Sequence, residues 1–241
     1  HVGGSENRNP SVRDVVIENN TVLDADRGVR VDGATAGVFL RGNRFGVVRE
    51  PLMGAGADRV GMPPAQRAEI ETSRVRALAA AAGLPGDPLA WPEVKQGIAR
   101  LAALPEGSDQ APTLAGEILE AALARVAARK PSLPLEAVAP FLGLRLEPVA
   151  GKSLGGVLQS GAGGSDTLNL SLAARTGLPA WPVEVSVQAP DGWKVGEPAR
   201  LASPSPEKPV ELACTVPAGA WGRVDLPVAV ALSLPKATLR L

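Results

Sequence analysis

The chain has 241 residues, of which 45% are hydrophobic, and its 25 basic and 25 acidic side chains give a net charge of zero. That is enough apolar content for a core, in one large domain or two to three small ones, while the charge balance leaves no electrostatic footprint for nucleic acid and no apolar run approaches a membrane span. One histidine, His1, and one cysteine, Cys214, exclude internal Ser-His-Asp and Cys-His chemistry, an intrachain disulfide and a Cys-based metal cluster.

From the N terminus, the first pattern is a repeat. Val15, Ile17, Asn20 and Val22 share a frame with Val38, Leu40, Asn43 and Phe45, each position recurring 23 residues on. The pattern apolar-x-apolar-x-x-Asn-x-apolar, at a period in the low twenties, predicts stacked coils like those at the end of a parallel β-helix. Val15 and Ile17 alternate with Val16 and Glu18, so one strand face is apolar. Asn20 falls where the chain turns, and asparagine tolerates left-handed backbone angles. Stacked on Asn43, it would form an internal amide ladder that satisfies buried donors and acceptors from coil to coil. Gly28–Gly33 predicts a second strand in the same coil, with Val29 and Val31 alternating with Arg30 and Asp32. His1-Val2-Gly3-Gly4 reads as the remnant of an earlier strand, and a repeat that starts mid-stream is expected of a truncated piece. The coils are expected over residues 1–50. The plainer alternative is two hairpin strands that share an asparagine by chance.

The strand pattern stops after Phe45, and a Gly- and Pro-rich stretch over 51–64 leads into a helical zone expected to span 51–143. Ala65 to Ala82 is full of helix formers, with Pro63 and Pro64 suited to the first turn and Gly83 to the stop. Ile70, Val75, Leu78 and Ala82 make its stripe. Pro92 to Leu104 carries Val94, Ile98, Leu101 and Leu104. Thr113 to Arg129 carries Leu114, Ile118, Leu119, Ala122, Leu123 and Val126, with Thr113 as N-cap. A short helix over Leu135 to Leu142 completes a small helical bundle. From 144 to 241, period-two runs return at Leu168/Leu170/Leu172, Val183/Val185/Val187, Val210/Leu212/Cys214/Val216 and Leu226 to Leu234, and Leu239 and Leu241 close the chain. These runs, separated by turn residues, predict an antiparallel β-sandwich. The fold class is therefore multidomain and mainly β with a helical segment.

Residues 1–50 resemble the right-handed parallel β-helix family that includes pectate lyases and polygalacturonases. The segment Trp181-Pro182-Val183 followed by Ala189-Pro190-Asp191-Gly192-Trp193 resembles immunoglobulin-like modules of the NEW3 kind, which commonly accompany bacterial glycoside hydrolases. Together the resemblances imply the C-terminal part of a secreted or cell-surface bacterial protein active on polysaccharide, either a lyase or a glycoside hydrolase. Its catalytic coils would lie upstream, and this monomeric chain would supply a cap, a spacer and a glycan-binding module. The alternative is a non-enzymatic extracellular structural β-helix protein.

No catalytic residue carries over from either resemblance. Trp181, Trp193 and Trp221 are the candidate glycan platforms, since sugar C–H faces stack on indole; against this, a Trp beside a turn commonly plugs a sandwich core. Asp24 and Asp26 are the candidate ligands for calcium, a hard cation that takes oxygen donors, whereas Arg27, Arg30, Asp32 and Arg41 read as solvated surface charge. Gly151-Lys152-Ser153 lacks the upstream glycine of a phosphate loop. Cys214, in phase with Leu212, reads as a buried, inert thiol.

Overall fold

The structure is a computed structural model and describes residues 13–33, 35–130, 132–142, 144–148, 165–173, 179, 181–202, 205–218 and 226–241. The stretch His1–Gly4, the glycine-rich segment 151–164 and Trp221 lie outside them. Among the described residues the chain is mixed, with several β-sheets and four α-helices, and it divides into two compact units.

The first unit runs to Val126. Its described residues begin with six strands: β1 (Arg13–Glu18), β2 (Thr21–Val22), β3 (Ala25–Arg30), β4 (Ala36–Arg41), β5 (Arg44–Phe45) and β6 (Val48–Met53). They pair in parallel as β1 with β4, β2 with β5 and β3 with β6. Each residue meets the one 23 positions further on: Val15 meets Val38, Ile17 meets Leu40, Val22 meets Phe45 and Ala25 meets Val48. The hairpin alternative is thereby excluded, because a tight hairpin joins antiparallel strands only.

Strand β3 starts at Ala25, three residues ahead of the glycine expected to open it, and β6 runs beyond Phe45, where the strand pattern of the sequence stops. Pro51 sits inside β6 because that strand is the edge of a two-stranded sheet, where a missing N–H costs no ladder bond. The inward residues of the two turns are unequally covered. Val38, Leu40, Phe45 and Val48 are 0–4% exposed, whereas Val15, Ile17, Val22 and Ala25 are only half-buried.

The corners repeat as closely as the strands. Asp14 and Asn19 have φ of 56° and 57°, and their counterparts Gly37 and Gly42 have 64° and 65°. The left-handed residue is thus Asn19, not Asn20 as the sequence suggested. Glycine is required in the second turn for a second reason. A Cβ on Gly37 would lie 2.6 Å from Asp14 Oδ1, and one on Gly42 would run into Asn19 Oδ1. Gly42→Ala is expected to cost about 2 kcal/mol, from left-handed strain plus this clash. Adding Asn19→Gly should recover the clash but not the strain, which a double-mutant cycle of thermal melts would resolve.

Three helices follow: α1 (Pro64–Ala81), α2 (Pro92–Ala102) and α3 (Ala111–Arg129). Pro64 occupies the first turn of α1, and Gly83 (φ 61°) ends it, with Leu84 N–H donating to Ala79 O. Helix α3 begins two residues before the expected cap, so Thr113 lies in its first turn. Gly97 of α2 lets Ile118 of α3 approach closely, since a Cβ there would come within 2.6 Å of Ile118 Cγ1.

The second unit holds the rest of the described chain after Val126, apart from Pro179, which belongs to the first. It contains the end of α3, helix α4 (Leu135–Leu142) and the strands β7 (Arg145–Pro148), β8 (Ser165–Ala173), β9 (Val183–Val187), β10 (Lys194–Val195), β11 (Ala199–Leu201), β12 (Ser205–Thr215), β13 (Val228–Leu234) and β14 (Ala237–Arg240). They form two antiparallel four-stranded sheets, ordered β10-β12-β8-β7 and β11-β9-β13-β14. Val183, Val185, Val230 and Leu232 are buried from one sheet, and Leu170, Leu172, Val210, Leu212 and Cys214 from the other. This is the burial that the period-two pattern called for.

Candidate functional site

The densest group of specific polar contacts in the first unit lies where β4, β5 and β6 meet the chain that follows them. A parallel strand paired on one side leaves a row of N–H and C=O groups on the other, which must be capped or wetted. Here they are capped, and α1 supplies most of the partners. Asn43 N–H donates to Gln66 Oε1 at 2.7 Å, and Gln66 Nε2 donates back to Asn43 O at 3.1 Å. Phe45 N–H donates to Glu69 Oε1 at 2.9 Å. Ser73 Oγ accepts from Val48 N–H at 3.0 Å and lies 3.1 Å from Val48 O. Arg74 Nη2 reaches Leu52 O at 3.5 Å and pairs with the buried Glu71 at 2.5 Å. Strand β4 is closed by main chain instead: Leu40 N–H donates to Gly61 O and Gly61 N–H to Val38 O, both at 2.9 Å.

Through this seal runs an amide ladder. Asn20 donates from both its main-chain N–H and its Nδ2 to Asn43 Oδ1, each at 3.1 Å. Asn43 Nδ2 donates to Ile17 O at 2.8 Å. The sequence suggested two rungs, Asn20 and Asn43; the structure adds Gln66 as a third. Gln66 lies 23 residues beyond Asn43, so the period itself was the available signal. It was obscured because Gln66 sits in a helix rather than a strand. Asn43 and Gln66 are each 3% exposed, so their amides are interior groups whose partners matter.

The outward charges of the turns pair with each other. Glu18 meets Arg41 at 2.5 Å, Asp26 meets Arg49 at 2.6 Å and Arg27 approaches Glu50 at 3.9 Å. Asp26, one of the two candidate calcium ligands, is therefore engaged by a guanidinium. Asp24 is exposed at a left-handed corner (φ 47°). Among the described residues no group of three or more His, Cys, Asp or Glu side chains converges as a metal site. Being solvated, these ion pairs carry little stability, and Arg49→Ala is expected to shift it by less than about 1 kcal/mol in a thermal melt.

In the second unit the candidate platforms separate. Trp181 is 4% exposed at the start of β9, so its faces are taken up by the core. Trp193 is half-buried and follows a turn in which Gly192 has φ 85° and Trp193 N–H donates to Pro190 O at 3.2 Å. Comparison of the chain with protein-family models, with curated proteins and with solved structures finds no match.

Proposed function

We propose that residues 13–53 are the closing coils of a right-handed parallel β-helix, that α1 is their terminal cap, and that the two antiparallel sheets form an immunoglobulin-like sandwich. On this reading the chain is the capping, spacing and glycan-binding part of a secreted polysaccharide-active β-helix protein, a lyase or glycoside hydrolase. The observation that carries the coil reading is the common 23-residue offset of the three parallel strand pairs among the described residues and of the amide ladder. Support for polysaccharide comes from the resemblance to pectate lyases and from the Ala-Pro-Asp-Gly-Trp segment, whose Trp193, unlike the buried Trp181, keeps surface to offer. The structural-stalk alternative draws its support from the outward charges, which pair from coil to coil instead of converging.

Affinity electrophoresis of the full chain through gels containing neutral or acidic polysaccharides tests the binding role. Retardation by one glycan class is expected, weakened at least about tenfold, or about 1.4 kcal/mol, in Trp193→Ala. Equal migration in every gel would sink the binding role and favour the stalk.

A further inference from the structure

We infer that the far side of the first turn, β1 to β3, is a docking surface for one more coil of the same 23-residue repeat. That coil would carry an amide side chain at the rung ahead of Asn20. The inference rests on the coil reading and adds to it the partner of this surface, atom by atom.

The ladder has a direction. Each rung's amide oxygen receives the N–H and side-chain amide of the rung before it: Asn43 Oδ1 from Asn20, and Gln66 Oε1 from Asn43. Asn20 Oδ1 stands in the same relation to a preceding rung, and no donor among the described residues reaches it. Beside the ladder the main chain bonds in the opposite sense, from the later turn to the earlier one. Arg44 N–H donates back to Asn20 O at 2.8 Å, and Gly46 N–H to Val22 O at 2.9 Å. Their counterparts 23 residues earlier are the N–H groups of Thr21 and Leu23, which no described strand meets. The apolar interior continues across the same face. Val15, Ile17 and Val22 are half-buried where Val38, Leu40 and Phe45 are buried, and Leu23 is 64% exposed. The occupant is thus specified by continuity with the contact the two turns already make: parallel strands, apolar inward residues and an amide rung.

The corners constrain the occupant further. A later coil's Cβ strikes the side-chain oxygen of the corner residue before it, as Gly37 and Gly42 show. Asp14 and Asn19 do bear Cβ atoms, so the preceding coil needs corner residues without that side-chain oxygen, and glycine suits a left-handed corner best. A copy of 36–58, which carries Gly37 and Gly42, meets that need, whereas a copy of 13–35 does not.

The test inserts a copy of 36–58 directly ahead of Arg13 in the full chain and follows amide hydrogen exchange. Exchange at Thr21 and Leu23 is expected to slow by about tenfold or more relative to a chain carrying the same residues in scrambled order. An insert with its own rung asparagine changed to alanine should give a smaller effect. Equal exchange in the ordered and scrambled inserts would overturn the inference, as would an ordered insert that exposes the Asn43 and Phe45 amides of the second turn. Glycan retention is read at Trp193 in the other unit. The binding role can therefore fail while this surface stands, and the reverse.

Discussion

Gln66→Ala is expected to destabilise the first unit by about 3 kcal/mol, more than the loss of one exposed glutamine would suggest. The substitution removes the partner of two buried main-chain groups, Asn43 N–H and Asn43 O. Each costs about 1–3 kcal/mol when left unsatisfied. Water cannot readily take over, because the position is 3% exposed. Ser73→Ala orphans Val48 N–H in the same way and should act in the same direction, with a smaller loss for a smaller side chain. The measurement is denaturant unfolding alongside amide exchange. The Asn43 amide should exchange faster in Gln66→Ala, and the Val48 amide in Ser73→Ala. A Gln66→Ala protein as stable as its parent would mean that α1 merely lies beside the strands.

Phe45→Ala is expected to cost about 3–5 kcal/mol, the range for emptying a buried aromatic site. Phe45 is 1% exposed and packs in one cluster with Val48 and Ile70, the last contributed by α1. Its ring also reaches beneath Gly28, where a Cβ would come within 2.9 Å of Phe45 Cε1 and collide with Pro51 O. The backbone carbonyl blocks a compensating side chain at position 28, so refilling the space by Gly28→Ala should worsen the double variant. Thermal unfolding of the two single variants and the double decides this. A double variant more stable than Phe45→Ala would show that Pro51 can yield.

What the sequence disclosed about the first unit followed from period. Val15, Ile17, Val38 and Leu40 announce strands, and Asn20 and Asn43 announce a ladder, because stacking puts like residues at a constant interval. Gln66 obeys the same interval but was hidden by its helical neighbours, whose Ala, Glu and Arg content states the local structure and nothing about the edge it covers. Strand β6 was obscured by Pro51 and its flanking glycines, which signal a turn by composition and are tolerated here only because the strand lies at an edge. In the second unit Val183, Val185, Leu212 and Cys214 were legible from alternation. The short strands β10 and β11, of two and three residues, are too brief for alternation to register. The membrane expectation agrees with the described helices, none of which is long and apolar enough to cross a bilayer. Trp181 shows the limit for sites: an indole beside a proline looks the same in sequence whether it faces sugar or core.

The seal also has a place in time. Chains emerge N-terminus first, at about 5–20 residues per second, so Val38 to Met53 leave the ribosome before the helix whose side chains will close them. For a period on the order of seconds, until Ala81 is out, the N–H and C=O groups of Asn43 and Val48 face outward with no cap, competent to pair with any extended strand nearby. A nascent chain held at Met53 is therefore the form of this protein most exposed to mispairing. Because the helix that ends that exposure follows within some thirty residues of the edge it covers, closure needs no distant segment and can occur while the second unit is still unmade.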